Sequence, residues 1–304
     1  MAGNAAKLFS HSQLYRIARP TYDPSIYKVI FDFIAETPSA KHTLAVDVAC
    51  GTGQVASELS KHYDHVIACD ANAEQLRAAI QGPNITYIQS LAEDIGSSLA
   101  SVVSAPTPPE RQTVDLATVA QALHWFDIDT FYRQVRQVLT PNTGVLACWG
   151  YSMLRIVNLQ GPQTIAQTTA LQQANGRFNA IHADTLGAWW DGRRVLVDSE
   201  YEGLDEAARR VFSTVKTVRF LPRKEMSLGQ IVTYMRSWSS YQTYMKQEEE
   251  EKKQGLDPVQ EFEDFMIELF GCGGGGGGRG VGGRKTADEI VFTTETPHFL
   301  ILAR

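Results

Sequence analysis

Three short stretches carry residue types that could do chemistry together. In Asp47-Val48-Ala49-Cys50-Gly51-Thr52-Gly53 an acid lies inside an apolar run, four residues before the first of two glycines. Glycines at such a turn let the backbone bend tightly and approach a ligand. Asp47 would oppose a bound pyrophosphate but suits a cationic group, and an acid in an apolar strand is costly without one. It could also merely brace a buried turn. Asp70 closes the next apolar run, where a carboxylate can accept hydrogen bonds from both hydroxyls of a ribose; an ordinary strand-end cap is the plainer alternative. Further on, Gln121-x-x-His124-Trp125-Phe126 follows another such run. His124 could take a proton from an amine or a phenol, and Trp125 could pack against a cation. Both could equally be packing residues.

These stretches need rigid elements behind them. Residues 43–50 (TLAVDVAC) are β-branched and apolar and end at Gly51, as a buried parallel strand does. Further strands are predicted over 65–70, 85–90, 114–121 and 145–149. Helices fall between them, over 54–62, 73–81 (with Asn72 as N-cap), 92–100 and 128–139. Residues 104–112 are proline-rich and read as a loop. Strands alternating with helices imply right-handed βαβ units and an open, doubly wound, mostly parallel sheet.

After Tyr151 the rhythm changes. A helical stretch is expected over 184–204, a strand over 211–221, one long helix over 228–246 and another helix over 259–270. Residues 248–253 (EEEEKK) form a solvated charge run. Residues 271–283 (GCGGGGGGRGVGG) are low in complexity; with no Lys-Ser/Thr helix after them they read as a flexible loop and not a phosphate cradle. Strands over 289–294 and 299–303 are expected to close the sheet at its edge. The predicted organisation is an N-terminal cap segment over 1–36 and one domain over 37–304. Within that domain lie a helical insertion over 225–270 and the glycine-rich loop over 271–283.

The chain has 304 residues, enough for a sizeable core, and 28 basic against 34 acidic side chains give a formal charge of −6. Without a Lys/Arg stripe it is a poor fit to nucleic acid or to an anionic membrane. Cys50, Cys69, Cys148 and Cys272 form no C-x-x-C pair, so no metal site is expected, and buried thiols point to a reducing compartment. No secretory h-region and no run of 18 apolar residues occurs. The expectation is a cytoplasmic monomer that handles small molecules.

The D-x-x-x-G-x-G motif, the acid at Asp70, the Ala92-Glu93-Asp94 segment and the His124-Trp125-Phe126 turn together resemble the class I S-adenosylmethionine-dependent methyltransferases. That resemblance covers roughly residues 46–150. A narrower one, to the trans-aconitate methyltransferase-like proteins, rests on four motifs. They are Tyr15-x-x-x-Arg19-Pro20-x-Tyr22, residues 122–127 (ALHWFD), Trp149-Gly150-Tyr151 and residues 234–241 (YMRSWSSY).

The resemblance implies a seven-stranded sheet and S-adenosyl-L-methionine as cofactor. Gly51 and Gly53, with Thr52 between them, would line its methionine and ribose portion, and Asp47 would help hold its ammonium. Asp70 would take the ribose hydroxyls, with Ala71 flanking the adenine. Leu91, Ala92 and Glu93 would meet the adenine edge, and Gln121 would offer its backbone carbonyl to the amino group. His124 and Trp125 are the catalytic candidates. Tyr15, Arg19, Tyr22, Trp238 and Tyr241 are candidates for holding the substrate, expected to be a small organic acid. Two rival readings stay open. One is a nicotinamide-dependent oxidoreductase, since Gly51-x-Gly53-x-x-Ala56 loosely fits its glycine rule. The other is a non-catalytic protein that binds the same cofactor.

Overall fold

The computed structural model describes residues 22–102, 113–159, 165–250, 257–271 and 285–304. Tyr15, Arg19 and nearly all of the glycine run lie outside the described residues.

Seven strands form the main sheet: β1 (Leu44–Val48), β2 (His65–Asp70), β3 (Ile85–Gln89), β4 (Leu116–Ala120), β5 (Val145–Tyr151), β7 (Val215–Phe220) and β10 (His298–Ala303). Their order is β3-β2-β1-β4-β5-β10-β7. The first five are parallel, and β10 runs antiparallel to both of its neighbours. The order reverses between β1 and β4. The chain leaves the sheet there in opposite directions, which opens a crevice at the carboxyl ends.

Strand periodicity divides the core into two layers. On one face Ala45, Leu116, Val145, Ala147, Trp149, Leu300 and Leu302 pack against helices α1 (Pro24–Ala35) and α2 (Gln54–Leu59). Helix α1 is started by Asp23, whose side chain accepts from Ser25 N, and by proline at its first position. It buries Ile26, Ile30, Phe33 and Ile34 on one stripe. Each such side chain contributes about 1.5–3 kcal/mol by leaving water. On the other face Val46, Val48, Ala117, Val119, Leu146, Cys148, Phe299 and Ile301 meet α4 (Ile95–Val102), α5 (Ile128–Val138), α7 (Arg194–Asp198) and α8 (Leu204–Arg209). Helix α3 (Ala73–Arg77) begins at Asn72, whose side chain accepts from Glu74 N and Gln75 N.

A second apolar core is separate from these two. It combines α6 (Ile165–Ala180), α9 (Leu228–Arg236), α10 (Ser239–Glu250) and α11 (Pro258–Phe270) with a three-stranded sheet. That sheet comprises β6 (Arg155–Leu159), β8 (Arg223–Ser227) and β9 (Val291–Glu295), in the order β6-β9-β8. This helical layer therefore starts directly after β5, with Leu154 and Ile156 in its core, well before residue 225.

Three sequence expectations are corrected. The stretch 228–246 is two helices, not one. Ser237 Oγ donates to the Tyr234 carbonyl at 2.6 Å and helps end α9, and the chain restarts at Ser239. Residues 184–204 hold the end of a π turn, a 3-10 turn and the short helix α7, with α8 beginning only at Leu204 and with Glu200 and Tyr201 both at positive φ. The final two strands do not close the main sheet at its edge. Among the described residues β9 pairs only within the small sheet, and β10 lies between β5 and β7, leaving β7 as the edge.

Candidate active site

The loops at the carboxyl ends of the strands are stitched to one another. Gly51 N donates to Asp70 Oδ2 at 2.9 Å, which joins the turns after β1 and β2. Gln89 Nε2 donates to the Ala71 carbonyl at 3.0 Å, which ties β3 to the turn after β2. Asp127 N donates to Glu93 Oε1 at 2.8 Å, linking the turns after β3 and β4. Gln121 then clamps the end of β5. Its Nε2 donates to the Tyr151 carbonyl at 3.1 Å and its Oε1 accepts from Tyr151 N at 2.8 Å.

The turn after β1 shows why it needs glycine. Gly51 has φ +56°, and a Cβ there would meet only Gln75 Oε1, at 3.9 Å. The space above this backbone is open. Gly53, at φ +81°, has a different constraint: it precedes α2 in the left-handed region, and a Cβ would collide with the Tyr87 hydroxyl. Tyr87 is itself fixed by donating to the Ile80 carbonyl at 2.6 Å. Thr52 is buried between them, and its hydroxyl donates to Gln54 Oε1 at 3.1 Å.

Asp47 is 1% exposed. Its Oδ1 accepts from Thr118 Oγ1 at 2.9 Å and its Oδ2 from Ala56 N at 3.1 Å. The carboxylate therefore braces β1 against β4 and against α2. Burial pushes its pKa up from 3.8 to about 7, aided by the neighbouring charge of Asp70. Asp70 is also raised by burial, while N–H donors from Asn72 and Gly51 pull it down. Two desolvated carboxyl groups beneath one open turn favour a cationic ligand.

The turn after β3 places Leu91, 38% exposed, beside buried Ala92. Both Ala49 and Gln121, at the ends of β1 and β4, have positive φ, 55° and 53°. Non-glycine residues pay strain in that region and hold it only where surrounding bonds impose it. Gln121 is held by its clamp on Tyr151 and by donating its N–H to the Trp149 carbonyl at 2.8 Å.

His124 and Trp125 follow in a 3-10 turn. The His124 ring is buried against Trp125, 5.0 Å between centroids, and its Nδ1 lies 3.2 Å from the Tyr201 hydroxyl. The Arg193 guanidinium sits 5.4 Å over the Trp125 ring. Tyr22 meets Trp149 edge-on at 5.4 Å, so it stands at the end of β5. Trp238 and Tyr241 are elsewhere, inside the helical layer. Trp238 packs on Phe178, His182, Trp190 and Tyr234, and the Tyr241 hydroxyl donates to Asp257 Oδ2 at 2.9 Å.

Sequence reasoning missed Thr118, Tyr87, Arg193 and Tyr201. Thr118 left a signal: it is a polar residue in a buried strand, and register pairs it with Asp47. The other three reach the site through tertiary contacts and left none.

Comparison with known proteins shows the family of the chain. Residues 46–148 match the family described as "Methyltransferase domain". A Dictyostelium discoideum protein named as a methyltransferase is 31% identical over 241 residues, covering 79% of either chain. The chain is a methyltransferase. A Saccharomyces cerevisiae protein named as an S-adenosylmethionine-dependent methyltransferase is 23% identical over 257 residues, 76% of this chain and 80% of that one. A methyltransferase of Aspergillus candidus is 33% identical over 173 residues, of which this chain spans about half the length, 51%. The solved structure of a type II methyltransferase from Anaeromyxobacter dehalogenans superposes with a TM-score of 0.63 at 23% identity, covering 94% of this chain and 97% of that one. It shares the fold.

The methyltransferase uses S-adenosylmethionine as methyl donor, which overturns the nicotinamide reading. The residues fit that donor: open backbone at Gly51, two buried acids, Asp47 and Asp70, that would suit a cationic ligand, and an exposed apolar side chain at Leu91 that would suit a flat ring. Among the described residues no group of three or more His, Cys, Asp or Glu is placed to hold a metal ion. No helix among them is long and apolar enough to cross a membrane.

Proposed function

We propose that the methyltransferase modifies a small molecule carrying a carboxylate, and that the methyl goes to a carboxylate oxygen to give an ester. The observation that carries this reading is Arg193 over Trp125, one residue beyond His124. A guanidinium there offers an anion two-point recognition. It is 32% exposed, and its contact with Asp191, at 4.0 Å, is at the limit of an ion pair.

The division of labour follows from the chemistry. S-adenosylmethionine supplies a methyl group on a sulfonium, already a strong leaving arrangement. Asp70 and the backbone at Gly51 would bind it, with Asp47 supporting the turn from below and adding negative charge. Ala71, Leu91 and Ala92 would flank its adenine, while Glu93 holds the neighbouring turn. Gln121 would present its carbonyl to the amino group. His124 and Trp125 would position the acceptor. A carboxylate is ionised at neutral pH and needs no base, so the task is to align it and exclude water. Tyr22, and Arg19 from outside the described residues, are further candidates for contacts to a small acid such as trans-aconitate.

The test is incubation of a metabolite extract with the protein and isotopically labelled S-adenosylmethionine, followed by mass spectrometry and mild alkali. Methyl esters release their label as methanol. Label that survives alkali on an amine or a phenol would overturn the carboxylate reading and leave the methyltransferase one intact.

A further inference from the structure

We infer that Tyr201 is a positioning residue that fixes His124 as the Nε2–H tautomer, so that the imidazole offers the methyl acceptor a hydrogen-bond donor and not a base. This rests on the reading above in one respect, that His124 faces the acceptor.

The argument begins with the phenol oxygen. It lies 3.2 Å from His124 Nδ1, and Tyr201 is 2% exposed, His124 8%. Among the described residues this hydroxyl makes no hydrogen bond to a carbonyl or a carboxylate. A buried hydroxyl directs its hydrogen to an acceptor, and the imidazole Nδ1 is that acceptor. A neutral imidazole that accepts at Nδ1 carries its hydrogen at Nε2. Burial pushes the Tyr201 hydroxyl far above its ordinary range, so it stays protonated at any working pH.

The backbone shows that this contact is imposed and not incidental. Glu200 and Tyr201 are consecutive non-glycine residues at φ 55° and 59°. Such strain persists only where neighbours over-determine it. Here Glu200 is held by Arg219 Nε at 2.7 Å on β7, and the Tyr201 ring meets Phe299 of β10 edge-on at 4.7 Å. Tyr201 N donates to the Leu196 carbonyl at 2.8 Å. The turn between α7 and α8 is bent so that one hydroxyl reaches one ring nitrogen. A donor at Nε2 suits an anionic or carbonyl oxygen and disfavours an ammonium.

The experiment is a side-chain nitrogen–proton correlation spectrum of the full chain. The protein is labelled at histidine and bound to S-adenosylhomocysteine above neutral pH, and a His124→Gln sample assigns the signal. The expected result is His124 protonated at Nε2 alone. In Tyr201→Phe, which keeps the ring and its packing, the two tautomers should mix. KM for the acceptor should rise on the order of tenfold, as loss of one orienting hydrogen bond implies, with little change in kcat or in cofactor affinity. Protonation at Nδ1 in the wild type, or an unchanged spectrum in Tyr201→Phe, would overturn the inference. The wild-type spectrum decides the tautomer even if the variant folds poorly. It needs no acceptor, so an alkali-stable product would sink the carboxylate proposal and leave the tautomer assignment to the spectrum.

Discussion

Gly51 N donates to Asp70 Oδ2 at 2.9 Å, so the acid that would hold the cofactor's ribose also holds the turn that the cofactor would cross. Its other oxygen accepts from Asn72 N at 2.8 Å. Asp70→Asn would set an amide N–H against one of these donors. Hydrogen bonds to charged groups contribute about 1.5–3 kcal/mol each. Titration calorimetry should show S-adenosylmethionine affinity reduced by roughly one to two orders of magnitude. Wild-type affinity would remove Asp70 from the site.

The two glycines of the motif should respond differently. Gly51→Val places a side chain in open space and should abolish cofactor binding, at a stability cost of about 1–2 kcal/mol for the left-handed backbone. Gly53→Ala drives a methyl into the Tyr87 hydroxyl. It should lower the melting temperature further, and Tyr87→Phe should partly rescue it. Equal melting temperatures for the two glycine variants would mean that the collision at Gly53 is relieved by movement.

Asp47 makes stability depend on pH. Its pKa is raised from 3.8 to about 7 in the folded chain, because burial disfavours the charged form. The folded state thus binds the proton more tightly than the unfolded state. The stabilising contribution is fully present below about pH 4 and lost as pH rises to about 7, roughly 4 kcal/mol in all. Denaturation of the cofactor-free protein between about pH 4 and about pH 8, which spans that window and one unit above it, should show this slope, and Asp47→Asn should flatten it. A cationic ligand favours the charged carboxyl, so cofactor affinity should rise over the same interval. A flat affinity profile would argue that the ligand's charge does not reach Asp47.

His182 tests the helical layer separately. It packs on Trp190 and Trp238, and burial lowers its pKa from 6.5 to about 4. Stability from the neutral ring is fully present above pH 6.5 and lost as pH falls toward 4. Trp238→Ala should cost about 3–5 kcal/mol by leaving a cavity, while cofactor affinity stays unchanged. A melting temperature within a degree or so of wild type, where about 1 kcal/mol shifts it by roughly 2–4 °C, would show that the layer contributes little to the cooperative unit.

Four of the five parallel strands were legible because they are buried on both faces and so read as nearly unbroken apolar runs, while β3 at the sheet edge is only half-buried and was legible from its β-branched and aromatic residues. The candidate cofactor turns stand out in the sequence for a related reason: Asp47, Gly51 and Asp70 sit at fixed offsets from the runs of β1 and β2. The helical layer was less so. Aromatic residues at helical spacing do mark α9 and α10, but Trp238 and Tyr241 face their own core, and spacing alone cannot say which surface a stripe covers. The break at Ser237 depends on one hydroxyl and left no pattern. Tyr201 reaches His124 through a left-handed turn that no propensity favours, and Arg193 arrives over Trp125 from a loop with no periodicity at all.

The antiparallel strand β10 sets the order in which this chain can become a protein. It lies between β5 and β7, with all six residues buried, yet the whole helical layer separates it from β5 in sequence. During synthesis the parallel half can collapse first, but until β10 emerges from the ribosome both β5 and β7 present bare backbone edges. Such edges are templates for pairing with other chains, and contacts so far apart in sequence form slowly. The newborn chain therefore passes through an interval in which its stickiest surface is complete and its cover is not. Its dependence on chaperones should be concentrated there.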